Sequence, residues 1–141
     1  MKNAMMRLTI AAAAFVAAAG VASAQTMEAK IPFAFRAAGK VFAAGTYQLH
    51  LAPTASGSQL VTISKDRVNE VLTVGYPNGE PKAAWKEMGG AVLSFQCGVS
   101  RCVLTNIWSG GDASYRLPSP GLGKDEPTRT AEIVMHSPKA D

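Results

Sequence analysis

The chain has 141 residues, 48% of them hydrophobic and 17% charged, with 14 basic and 10 acidic side chains. The length suits one domain with a true hydrophobic core. Lys and Arg are scattered rather than blocked, which argues against a nucleic-acid partner, because such proteins present a clustered basic face.

The first 24 residues read as a secretory signal peptide. Lys2 and Arg7 supply a positive start, Leu8 to Val21 an Ala-rich apolar run, and Ala22-Ser23-Ala24 a small-x-small cleavage site. The apolar run is short for a membrane span, which needs about 20 residues. The expected mature chain, residues 25–141, then carries 12 basic residues against 10 acidic ones and no transmembrane segment.

Beyond residue 25 the dominant period is two. From Glu28 to Arg36, Ala29, Ile31, Phe33 and Phe35 share one face, as in a half-buried strand. Pro32 cannot donate to a ladder, which places this strand at an edge. Gly39 and Gly45 bracket a turn-rich connection, and Thr46–Leu51 is a second amphipathic strand pairing back as a hairpin. Residues 52–58 form a loop, Leu60–Lys65 a strand, Lys65-Asp66-Arg67 a polar turn and Val68–Val74 a β-branched strand. Tyr76–Pro81 is a Pro- and Gly-rich turn. Ala83–Met88 is readable as a strand or as one helical turn, ended by Gly89-Gly90.

Ala91–Cys97 alternates again, with Leu93 and Phe95 inward. Arg101–Trp108 is apolar on both faces, Leu104 and Trp108 sharing one and Val103 and Ile107 the other, as in a central covered strand. Ser109–Asp112 is a turn and Ser114–Leu117 a short strand. Residues 118–127, with three prolines and two glycines, form a mobile loop. Thr128–His136 is the last strand and 137–141 a tail. Seven or eight short strands with turns between them predict an all-β domain, a single antiparallel sandwich or a small flattened barrel.

The only cysteines, Cys97 and Cys102, flank a four-residue turn. An exported chain meets an oxidising compartment, so a hairpin disulfide is expected rather than a redox or metal site. No P-loop, zinc-ligand cluster or nucleophile elbow is present, and Gly98-Val99-Ser100-Arg101-Cys102 lacks the last elbow glycine. His50 is the best lone acid–base candidate but has no local Asp or Ser; His136 is weaker. Asp66 with Glu70, and Asp125 with Glu126, read as solvated turn charges. Phe33, Phe35, Tyr47, Phe95 and Trp108 fall on inner faces, as core or as the lining of an apolar cavity. Tyr76, Trp85 and Tyr115 lie nearer loops. Clustered at the surface, they would anchor a partner or a sugar ring.

The segment Ile31–Leu49 carries Pro32-Phe33-Ala34-Phe35, Gly39-Lys40 and Ala44-Gly45-Thr46-Tyr47, followed later by Leu93-Ser94-Phe95 and Trp108-Ser109-Gly110. In these motifs the chain resembles small exported β-rich proteins of unknown function from environmental bacteria. The likeness runs to about Leu117. The Cys97–Cys102 hairpin, the segment 118–127 and the last strand do not belong to the pattern, and the resemblance implies no catalytic residue.

The reading that fits best is an exported, non-catalytic β-domain without cofactor or metal. It would be periplasmic or extracellular, binding or assembling with an envelope protein or a second copy of itself. A lipocalin-like carrier of a small apolar ligand is the alternative, with its cavity among Phe33, Phe35, Leu49, Phe95 and Trp108. A hydrolase using His50 ranks third.

Overall fold

The computed structural model describes residues 25–119, 122 and 126–138. The expected signal peptide at 1–24 lies outside the described residues, as do residues 120–121 and 123–125 of the expected loop and the last three of the tail. The described chain is all-β. Its strands are β1 (Gln25–Ile31), β2 (Phe35–Ala37), β3 (Lys40–Phe42), β4 (Gly45–Pro53), β5 (Gln59–Lys65) and β6 (Val68–Pro77), then β7 (Ala91–Cys97), β8 (Cys102–Trp108), β9 (Ser114–Arg116) and β10 (Arg129–Met135). One short helix, α1 (Ala83–Lys86), interrupts them.

The strands form one ten-stranded sheet in the order β1-β4-β5-β6-β9-β8-β2-β3, with β7 branching from β8 and β10 pairing with β7. The sheet does not close into a barrel. Where the end of β10 meets β1, one bridge forms: Glu28 N–H donates to the His136 carbonyl at 2.7 Å and His136 N–H to the Glu28 carbonyl at 2.9 Å. The expected purely antiparallel sheet is corrected in one place, since β2 runs parallel to β8 through Phe35 and Arg36.

That parallel pair follows from a break in the first expected strand. Pro32 has no N–H to offer, and the chain leaves the ladder at 32–34. The portion before it, β1, pairs along its whole length with β4. The portion after it, β2, joins the other half of the sheet and turns straight into β3. Ala38 and Gly39 sit at φ 51° and 79°, the two positive values that a type I′ two-residue turn requires. The predicted long hairpin is therefore a β1–β4 pair with a small β2–β3 hairpin inserted in it, and the strand count rises above eight.

β6 links the halves of the sheet. Most of it pairs with β5, while Tyr76 and Pro77 pair with Arg116 and Tyr115 of β9. Gly75 stands at the crossing. A Cβ there would come within 3.1 Å of the Tyr115 Cβ, so the close approach of β6 to β9 depends on the missing side chain.

The inner faces share one core. Ala29, Ile31, Tyr47, Leu49, Leu51, Val61 and Ile63 from one half meet Phe35, Leu93, Phe95, Leu104, Ile107 and Met135 from the other. Phe35 is the hub: its ring stacks on Phe42 at 5.0 Å and meets Tyr47 and Phe95 edge-on at 5.4 and 5.5 Å. Edge-on contacts place the positive ring edge against a negative face and add to the value of burial. Tyr47 keeps its hydroxyl satisfied by donating to the Ala43 carbonyl at 2.6 Å.

Phe35→Ala removes the hub ring and is expected to cost about 3–5 kcal/mol of stability, read from the urea midpoint. Phe33→Ala, at a half-buried position touching only Phe95 among the aromatics, is expected to cost less.

Candidate functional site

A β-bulge in the β7–β8 pair decides which side chains face outward. Ser94 pairs with Asn106, but the next residue, Phe95, pairs with Leu104, so Thr105 is an extra residue on β8. Its polar groups are used. The Thr105 hydroxyl donates to the Ser94 carbonyl at 3.2 Å, and the Thr105 carbonyl accepts from Leu117 N–H at 2.8 Å. The bulge shifts the alternation by one residue. Leu104 and Ile107 both point into the core, while Val103, Asn106 and Trp108 point out. The expectation that Trp108 shares the inner face with Leu104 is thereby corrected, and with it Trp108 as a wall of an internal cavity.

On the outer face Trp108 packs with Val92, Trp85 and Met88 in a separate small cluster. Ala83–Met88 takes the helical of its two readings. Trp85 hangs from α1 and is 2% exposed, and Gly89 at φ 83° turns the chain from the helix into β7. Lys82 lies over the Trp85 ring, 5.4 Å from its centroid. The two indoles are unequal. Trp108 Nε1–H donates to the Gly111 carbonyl at 2.8 Å, whereas the buried Trp85 Nε1–H finds no acceptor among the described residues.

The rest of this outer face is polar. Register aligns a row across five strands: Glu132 of β10 opposite Ser94, Ser94 opposite Asn106, Asn106 opposite Arg116, and Arg116 opposite Tyr76. Directly opposed residues put their side chains on the same face. Part of this row lines a groove of about 350 Å³ with Asn78, Gln96, Val103, Thr105, Asn106, Arg116, Ser119 and Leu122. Among the described residues, the side chains of Asn78, Gln96, Asn106 and Arg116 are engaged in neither hydrogen bonds nor ion pairs. Three amides, each with two donors and an acceptor oxygen, and a five-donor guanidinium therefore line one cleft without a partner among the described residues. The arrangement can bind a polyhydroxylated or anionic ligand. An apolar ligand would leave these groups desolvated and unpaired.

The three aromatic candidates do not come together. Tyr76 is 54% exposed and stands at the groove rim beside Arg116. Tyr115, its neighbour on β9, is half-buried and accepts a 3.3 Å hydrogen bond from Gln59 Nε2. Trp85 is buried under α1. Of the three, Tyr76 alone is exposed, in a neighbouring hollow that shares Arg116 and Ser119 with the groove. Sequence reading missed Gln96, Asn106 and Arg116. The available signal was Thr105-Asn106, two polar residues inside the apolar run Val103–Trp108.

His50 lies on the opposite half of the sheet, its Nδ1 2.8 Å from the Thr26 hydroxyl. His136 belongs to the β1–β10 bridge. Among the described residues, no group of three His, Cys, Asp or Glu side chains could hold a metal ion, and no helix is long and apolar enough to cross a membrane.

Cys97 and Cys102 are direct cross-strand partners, Cα to Cα 3.9 Å, with their sulfurs at disulfide distance. The pair closes the end of the β7–β8 hairpin next to the groove. Glu126 caps the hairpin turn, its carboxylate accepting from Val99 N–H at 2.7 Å.

Replacing both cysteines with serine, or reducing them, is expected to lower stability by about 2 kcal/mol, because the loop they close is short. Trp108→Phe removes the hydrogen bond to the Gly111 carbonyl and is expected to cost about 1 kcal/mol more than Trp85→Phe, which breaks no hydrogen bond among the described residues. Paired urea titrations measure both differences. Comparison with protein-family models, with curated proteins and with solved structures found no match for this chain.

Proposed function

We propose that the chain is an exported, non-catalytic binding module of the cell envelope, and that the groove on the outer face of β7, β8 and β9 is its binding site. The observation that carries the reading is the concentration of amide and guanidinium groups there that have no partner among the described residues: Asn78, Gln96, Asn106 and Arg116. Here they converge on one concavity, with an exposed tyrosine at its rim.

Export is supported by the pattern of residues 1–24 and by the Cys97–Cys102 pair, which an oxidising compartment would keep closed. The carrier of an apolar ligand loses support, since Phe35, Phe95 and Leu49, meant to line its cavity, are fully buried against other core side chains. The hydrolase reading loses support too, because His50 has a threonine for a partner and sits on the other half of the sheet from the groove.

The purified protein is expected to co-sediment with envelopes of the producing strain. The double variant Asn106→Ala/Arg116→Ala, both half-buried or exposed positions, is expected to keep its melting temperature and lose at least nine-tenths of that binding. Equal sedimentation of the two proteins, or none by either, overturns the proposal.

A further inference from the structure

We infer that the Asn78-Gly79 step is a self-modification site: the asparagine deamidates through a cyclic imide, and the carboxylate it leaves stands in the groove with Arg116. The chemistry rests on the step itself. Only its consequence for binding rests on the proposal that the groove is the binding site.

The structure separates the asparagines among the described residues. Asn69 lies inside β6 and is followed by Glu70. Asn106 lies inside β8, half-buried, and is followed by the β-branched Ile107. In both places the next residue carries a side chain that hinders attack by its nitrogen, and the strand ladder ties the backbone down. Asn78 lies just past the end of β6, exposed, and the next residue is a glycine. Gly79 sits at φ 78°, and a Cβ built on it would meet no atom within 4 Å, so its surroundings are open.

Ser114 straddles the step. Its carbonyl accepts from Asn78 N–H at 2.9 Å, and its own N–H donates to the Gly79 carbonyl at 2.9 Å. Neither pinned atom belongs to the five-membered ring that must close. The groups that react are the Asn78 side-chain amide and the Gly79 N–H. Among the described residues, neither has a hydrogen-bond partner. The ladder thus holds the neighbours of the reacting groups and leaves the groups themselves to water.

In the first step hydroxide takes the Gly79 amide proton, and the nitrogen bonds to the Asn78 side-chain carbonyl carbon. The Cγ–N bond breaks, and ammonia leaves with a proton from water. Water then opens the imide. Opening at the former side-chain carbonyl gives aspartate; opening at the main-chain carbonyl gives isoaspartate. Water is consumed and ammonia released, with no oxidant or reductant. Either product puts one negative charge where a neutral amide stood. Asn78 and Arg116 line the same groove. Arg116 is opposite Tyr76, two residues before Asn78, while Asn78 bonds to Ser114, two residues before Arg116. The pair are therefore diagonal neighbours at about 7–8 Å, within reach of a long side chain. Arg116 has no ion-pair partner among the described residues. A carboxylate at 78 engages its guanidinium in charge-assisted hydrogen bonds and withdraws it from the groove's free donors.

Storage of the purified protein in warm, mildly alkaline buffer for two weeks tests the inference. Peptide mapping by mass spectrometry is expected to show a gain of about 1 Da at Asn78, at least tenfold faster than at Asn69 or Asn106. A protein isoaspartate methyltransferase is expected to label the stored protein far more than the fresh one. Asn78→Gln, whose imide ring would need six members, is expected to abolish that label. Unchanged mass at Asn78, or equal rates at the three asparagines, overturns the inference and leaves the binding-site proposal standing. The consequence for binding is read separately. Asn78→Asp is expected to keep the melting temperature and to lower co-sedimentation with envelopes at least fivefold. Co-sedimentation equal to that of the unmodified protein overturns the consequence. Absence of envelope binding by the unmodified protein overturns the binding-site proposal alone, because mass and methylation are read without a ligand.

Discussion

One extra residue in β8 governs the architecture of this protein. Without the bulge at Thr105, strict alternation from Leu104 would bury Asn106 in the core and turn Ile107 out to solvent. An unpaired amide inside and a bare isoleucine outside would both be unfavourable. With the bulge, Leu104 and Ile107 join the aromatic core, and Trp108 is free to pack under α1. The same shift delivers Asn106 to the row that holds Ser94 and Arg116. Core, outer cluster and groove are consequences of a single local irregularity, held in place by the Thr105 hydroxyl and carbonyl.

This dependence explains how far the amino-acid pattern could be read. Period-two alternation identifies β4, β5, β7 and β10 with nearly the right bounds, because inward and outward positions alternate along each. Pro32 announces a break but not its outcome, since a missing N–H ends a ladder without saying which strand the chain joins next. The β2–β8 parallel pair joins residues far apart in the chain and leaves no local trace. Bulges are equally silent: Val103-Leu104-Thr105-Asn106-Ile107-Trp108 shows a run apolar on both faces, and the phase after Thr105 is fixed by β7. The groove was illegible for that reason. Its members come from four separate stretches of chain, and only register brings them side by side.

The hairpin carrying Cys97 and Cys102 has a related role. β7 and β8 are bonded to each other along most of their length, yet each also serves a different neighbour, β10 on one side and β9 and β2 on the other. A slip between them would displace every partner at once. Pinning the pair where the hairpin turns fixes register at the end closest to Arg101 and Val103. Glu126 adds a second tie there by holding Val99. The segment that returns to form β10 is thereby anchored to the turn before it enters the sheet.

Both tryptophans of the chain stand in the layer beneath α1, and neither lies in the main core. Intrinsic emission excited through indole therefore reports on that thin outer shelf, while the tyrosine and phenylalanine rings of the interior stay spectroscopically quiet beside it. The shelf shares β7 and β8 with the groove: Val92 and Trp108 are successive outward positions to Ser94 and Asn106. Any occupant that flexes those two strands would be felt by the indoles without a label being attached.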